Sequence, residues 1–344
     1  MAVLFAVLIT VTYGFVFNAV QSNSIAGSIA NSFDPEGTNA MRIKIIVGVV
    51  LALFTALIIF GGVQRIATVT QVIVPIMAVG YIAVGLIVVV LNIQHVPGMI
   101  GTIVEHAFGI EQFAGAALGQ VVLKGAQRGL FSNEAGMGSV PNAAATASVS
   151  HPAKQGLIQT YFDTIVVCSV TAFIILLSDR VGSDSEGGIA LTQNALADSV
   201  GGWGVHFLTV MILFLAFSSV IGNYYYGEAN IEFLTRNRMY LNIFRAVVAL
   251  CVFGGAIGSV PLVWSLADTF SGFMATVNLI ALIPLGGVAI AVLRNFSKQR
   301  AQGINPVFHR DDVPGLKGWD GMECWDGTDP ITWRDKETSA DISA

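Results

Sequence analysis

The chain has 344 residues, of which 54% are hydrophobic and only 11% charged, whereas a soluble domain carries about 25% charged residues. With a mean hydropathy of +0.71, it belongs in lipid rather than in water. A formal net charge of −5 without a Lys/Arg-rich run argues against a nucleic-acid binder, and Cys168, Cys251 and Cys324 suggest no disulfide framework.

Met1-Ala-Val-Leu-Phe5 leads straight into an apolar stretch with no basic segment and no small-residue cleavage site, so the start reads as a span rather than a signal peptide. A spanning helix needs about 20 mostly apolar residues. Eight stretches qualify: 2–20, 43–62, 72–92, an interrupted 117–147, 156–178, 205–227, 240–258 and 261–293. The last carries Pro284, Gly286 and Gly287, which predict a kink or an early end. The expected class is therefore an all-α membrane protein of about eight transmembrane helices. Residues 1–295 form its membrane domain, and 296–344 form a polar tail with no core of its own.

Orientation follows from where Lys and Arg collect. With eight spans, Arg65, then Lys154, then Arg236, Arg238 and Arg245, then Arg294, Lys298 and Arg300 all fall on one side. The opposite side holds Glu105 and Glu111, and Asp179, Asp184, Glu186 and Asp198 against a single Arg180. Lys124 and Arg128 are exceptions on the outer approach to the fourth span. The pattern predicts cytoplasmic termini at both ends of this chain.

Lipid cannot hydrogen-bond a free backbone group, so irregular chain at membrane depth must be buried in protein or line a cavity. The clearest such place is Gly125–Pro141, where Gly136, Gly138 and Pro141 break a helix directly after Ser132, Asn133 and Glu134. A broken helix aims a half-helix N-terminus at an anionic group and leaves carbonyls free for a cation. That suits a carboxylate travelling with Na⁺. Close helix packing by small residues explains Ala143 to Ala145 but not Asn133 and Glu134 in one turn.

A second polar group is Asn18, Gln21, Ser22, Asn23 and Ser24, in which Asn18 and Gln21 share a helical face. An amide offers a zwitterion both a donor and an acceptor. Inter-helix bonding is the plainer use. Ser218, Ser219 and Asn223 precede Tyr224-Tyr225-Tyr226. The serine hydroxyls either complete a Na⁺ site or bond their own helix, and the tyrosines read as an interfacial belt. Among ionisable groups in or near spans, Asp163-Thr164 offers ion ligands, while Asp268 with Trp264 reads as a bundle brace.

Gly129-Leu-Phe-Ser-Asn-Glu-Ala-Gly-Met-Gly-Ser-Val-Pro-Asn-Ala-Ala-Ala145, His151-Pro-Ala-Lys-Gln-Gly156 and Phe162-Asp-Thr164 resemble the signature of the alanine or glycine:cation symporter family. Asn18–Asn23, Phe60–Ile66, Tyr225–Glu228, Trp264–Asp268 and Phe308–Pro314 extend the resemblance over essentially the whole chain. It implies a partial LeuT-like bundle of inverted repeats in the cell membrane, carrying alanine, glycine or a similar small amino acid with Na⁺. Na⁺ is the coupling ion and no other cofactor is implied. On that mapping Gln21, Phe131, Ser132, Asn133 and Asn223 meet the substrate, and Ser218 and Ser219, with Thr164, meet the ion. Many members carry Trp where this chain has Asn223, which changes the pocket's shape. The family ordinarily begins with about three more spans, including a Gly-Thr-Gly-Asn helix, so the resemblance implies an N-terminally incomplete site in these 344 residues.

An H⁺-coupled permease and an ion channel are the neighbouring readings, since a broken helix also builds selectivity filters. A membrane enzyme would need a nucleophile–base pair or a metal cluster. The five histidines, at 95, 106, 151, 206 and 309, lie on separate loops or span ends without His-Glu-x-x-His spacing.

Overall fold

A computed structural model describes residues 1–61, 64–108, 116–145, 149–154, 162–178, 180, 188–313, 316 and 324–326. All regular structure among them is helical. In chain order the helices are α1 (Ala2–Phe33), α2 (Ala40–Gly61), α3 (Gln64–Leu91), α4 (Val96–Phe108), α5 (Ala116–Asn133) and α6 (Val140–Ala144). They continue with α7 (Asp163–Leu176), α8 (Ile189–Val200), α9 (Trp203–Leu234), α10 (Arg238–Ile257) and α11 (Val260–Ala301).

Among the described residues five helices are long and apolar enough to span, namely α1, α2, α9, α10 and α11. Pro75–Leu91 and Val96–Ala107 meet at 103° and make a sixth if the bent pair is one broken span. Five or six thus stand where the sequence predicts eight. The predicted 117–147 span reduces to α5, whose Gln120, Lys124, Gln127 and Arg128 dilute its apolar run. Of the predicted 156–178 span the described part is α7 and its end; residues 155–161 lie outside the described set, as do Glu111, Asp179, Asp184 and Glu186. In α11 the expected kink does not end the helix, which continues through Pro284 to Ala301. Proline removes one N–H and so a single rung of the ladder. Many large apolar side chains stay exposed, Leu57 at 72% and Ile283 at 79% among them, a surface that suits lipid.

The chain divides into two compact units, residues 1–133 with 163–274, and residues 134–162 with 275–344. In the first, α1 packs on α9, α10 and α2, and α10 packs on α2. Glycines permit the approach. A Cβ on Gly255 would stand 2.3 Å from the Ala19 Cα, so α10 rests on the backbone of α1. Asn23 of α1 ties the same spot, its Nδ2 donating to the Gly255 and Gly258 carbonyls at 2.9 and 2.8 Å where α10 ends and its carbonyls lack helical partners. The Phe244 ring fits against both Gly14 and Gly227. Fully buried Gln193 of α8 donates to the Ser28 hydroxyl at 2.9 Å and to the Thr209 hydroxyl at 2.8 Å, a polar tie among α1, α8 and α9.

The second unit alters the reading of the tail. Phe308 and Val313, 0% and 1% exposed, cluster with Val288, Ala291 and Val292 of α11 and with Trp325, so part of the polar tail has an apolar anchor. The Phe308 amide donates to the Ser150 carbonyl at 2.8 Å, and the Trp325 indole donates to the Val149 carbonyl at 2.8 Å. Between them lies His151, wholly buried. Its Nδ1 accepts the Ala153 amide at 3.1 Å, leaving Nε2 to donate to the Asn295 Oδ1 at 3.2 Å, so the neutral ring satisfies both contacts.

Burial holds the His151 pKa below its usual value, and nearby Lys154 pushes it the same way against the Asn295 hydrogen bond. A depressed histidine pKa stabilises docking above the unfolded-state value, near 6.5, and that contribution fades as pH falls through the folded-state value. The Phe308 amide should therefore exchange hydrogen faster as pH falls from about 6.5 toward the depressed His151 value, after correction for intrinsic exchange. In His151→Gln this pH step should vanish.

Candidate functional site

Helix α5 stops at Asn133 and the chain resumes helical form only at Val140. The intervening residues cannot be helical. Glu134, Gly136 and Gly138 have φ of 58°, 90° and 84°, the left-handed region in which glycine is favoured. Within the second unit the break is held by its own polar groups: the Ser139 hydroxyl donates to Glu134 at 2.5 Å and Asn278 of α11 donates to the Gly136 carbonyl at 2.8 Å. The predicted interruption of 129–141 is therefore present.

Within the first unit, the end of α5 meets the start of α7. The Ser132 hydroxyl donates to the Asp163 carboxylate, and the Asn133 Nδ2 donates to the Thr164 hydroxyl at 2.7 Å. Asp163 and Thr164 lie in a π turn, Phe162–Cys168, and a second π turn, Thr12–Phe17, directly precedes Asn18 in α1. A π turn displaces the ladder by one residue and recurs at functional sites. Both candidate polar groups thus adjoin a distorted helix, a feature with no composition signal in the sequence.

Phe131 belongs to a file of rings. Its ring centroid is 5.0 Å from Phe17 and 4.9 Å from Trp264, and Phe17 continues to Tyr13 and then Tyr226 at 4.8 and 5.0 Å. Arg128 sits over Trp264 at 4.8 Å and pairs with Asp268. That pairing engages Arg128, one of the two basic exceptions on α5, and gives Asp268 the bracing role expected of it. Tyr13, Phe17 and Tyr226 carry no signal for this file in the sequence, because which rings meet depends on helix rotation.

The remaining candidates lie on α1 and α9, which pack together. Asn18 is wholly buried; its Nδ2 donates to the Gly14 carbonyl at 3.0 Å, while its Oδ1 has no partner among the described residues. Gln21 is half-buried. Asn223, 6% exposed, has an Nδ2 with no partner among the described residues. Ser218 and Ser219 each donate to the Leu215 carbonyl, at 2.8 and 3.1 Å, the local bonding that was one of the two uses expected of them. Donation still leaves each oxygen its lone pairs. A cavity of 230 Å³ in this unit is lined by Asn23, Ser24, Asn31, Asp34, Lys44 and Trp264, among others. Tyr224 departs from the predicted aromatic belt: it is wholly buried, donates to Glu228 at 2.6 Å and stacks on Phe244.

The chain matches the family model described as the sodium:alanine symporter family over residues 1–310. It belongs to the sodium:alanine symporter family. The chain is 50% identical over 329 residues to the amino-acid carrier protein AlsT of Bacillus subtilis, covering 95% of this chain and 68% of that relative. It is 48% identical over 336 residues to the probable sodium/glutamine symporter GlnT of the same organism, covering 96% and 68%. To the sodium/alanine symporter AgcS of Methanococcus maripaludis it is 39% identical over 289 residues, covering 82% and 62%. As a sodium:alanine symporter family member it is a multi-pass membrane transporter rather than an enzyme, and its class of activity is Na⁺-coupled amino-acid symport.

Proposed function

We propose that this family member carries alanine or glycine inward with Na⁺ across the cell membrane, on a LeuT-like bundle of inverted repeats with both ends of this chain cytoplasmic. The observation that carries the substrate assignment is a pair of buried amide atoms without partners among the described residues, the Asn18 oxygen on α1 and the Asn223 nitrogen on α9. Leaving such atoms unsatisfied costs about 1–3 kcal/mol each. An amino-acid zwitterion removes that cost, with its ammonium on the amide oxygen and its carboxylate on the amide N–H.

Gln21 follows Asn18 on one helical face, and the Phe131 ring, packed between Phe17 and Trp264, supplies an apolar wall suited to a short side chain. Ser132 and Asn133 hold the start of α7 in place through Asp163 and Thr164. Oxygen atoms of Ser218, Ser219 and Thr164 are the hard ligands Na⁺ prefers. Na⁺ serves as the coupling ion, with no organic cofactor.

In the gene product that carries these residues, Gln21→Ala and Asn223→Ala should each raise the KM for alanine about tenfold, the effect of one lost hydrogen bond to a charged group. Surface expression should not change. Unaltered uptake at low alanine in both variants would remove these amides from the substrate site.

A further inference from the structure

A cavity of 640 Å³ lies where α9 ends and α10 begins, lined by Glu232, Thr235, Arg236, Arg238, Asn242 and Arg245, among others. Arg245 is engaged from the inner side, donating to Glu228 at 2.8 Å and to the Tyr224 hydroxyl at 2.8 Å. Arg236 and Arg238 are different. Both are exposed, and neither forms an ion pair among the described residues. Arg238 also opens α10, whose N-terminal dipole adds positive potential at the same rim. The two guanidinium groups therefore face a cavity whose remaining lining is polar apart from Leu241.

The surroundings are apolar. Phe233 is 63% exposed, Met239 57% and Ile243 51%, so apolar surface adjoins the arginine rim from both helices. A guanidinium binds phosphate oxygens as a planar fork, and basic pockets between membrane helices suit anionic head groups. We propose that this cavity binds the phosphate of an anionic phospholipid, with its acyl chains along the exposed faces of α9 and α10. The hydroxyls of a glycerol head group would find acceptors in Glu232 and Asn242. Free phosphate shares the anionic chemistry but has no use for the apolar flanks.

The proposal rests on the membrane placement of the chain. Its readout is lipid retention, so its failure leaves the transport reading untouched, and a failed transport assay leaves this one untouched. The test places the intact protein in bilayer discs of phosphatidylcholine alone, of phosphatidylcholine with phosphatidylglycerol, or of phosphatidylcholine with added inorganic phosphate. Unfolding midpoint and lipid retained in native mass spectrometry are then measured.

Phosphatidylglycerol should raise the midpoint and be retained, and more salt should weaken both effects. In R236Q/R238Q retention should fall roughly thirtyfold, from two cationic contacts of the strength usual at a membrane surface, while R236K/R238K keeps most of it. Equal retention in R236Q/R238Q would overturn the site. Stabilisation by inorganic phosphate that matches phosphatidylglycerol would overturn the lipid assignment.

Discussion

Gly255→Ala is expected to lower the stability of the protein sharply, while Gly254→Ala, one residue earlier on the same helix, is expected to leave it unchanged or slightly raised. The new methyl at 255 would lie 2.3 Å from the Ala19 Cα, 2.4 Å from the Ala19 oxygen and 2.5 Å from the Ser22 hydroxyl. Two of those atoms are backbone and cannot rotate away, so α1 and α10 must separate. Overpacking typically costs about 1–3 kcal/mol, and a backbone clash belongs at the upper end. Separation also stretches the bonds from Asn23 to the Gly255 and Gly258 carbonyls, worth about 1 kcal/mol each. At Gly254 nothing stands within 4 Å of the added atom, and alanine's better helix propensity gives up to about 1 kcal/mol. Thermal unfolding of the two variants in one detergent checks this, and equal midpoints would mean that α1 and α10 do not touch at Gly255.

The second large effect is expected at Glu228. Its carboxylate accepts the Arg245 guanidinium and the Tyr224 hydroxyl, with side-chain exposures of 11% for Glu228 and 19% for Arg245. Removing one member of a buried pair leaves the other charge uncompensated and costs about 3–5 kcal/mol, whereas replacing both by apolar groups is often close to neutral. Glu228→Ala should therefore destabilise far more than Glu228→Met combined with Arg245→Met. A double variant as unstable as the single one, in the same unfolding assay, would show that packing of Arg245 on the Phe60 ring matters here and charge does not.

Several features were legible from residues alone because they follow from composition or from glycine's backbone freedom. The apolar spans are of that kind, and so is the break after Asn133, where Gly136 and Gly138 take up left-handed conformations. Contacts that depend on helix rotation were not legible. Three consecutive tyrosines read as a belt, yet successive helical residues turn by about 100°, so Tyr224 points into the core beside Glu228 while Tyr226 reaches Tyr13. The π turns of α1 and α7 leave no residue signature. Gln193 is not legible in the sequence because one amide in a modestly apolar helix carries no pattern until Ser28 and Thr209 are brought to it. In the tail, Phe308 and Val313 are scattered apolar residues in largely polar chain, and only the face of α11 that receives them makes them a core.

The central claim is that recognition of a small amino acid is coupled to Na⁺. It is tested most directly by uptake of labelled alanine into vesicles carrying the gene product that contains these residues, with an inward Na⁺ gradient or with K⁺ in its place at equal pH. The account predicts saturable accumulation that requires Na⁺ and competes with unlabelled glycine. Alanine uptake that persists without Na⁺ and follows a proton gradient, or a cation current that flows with no amino acid present, would contradict it.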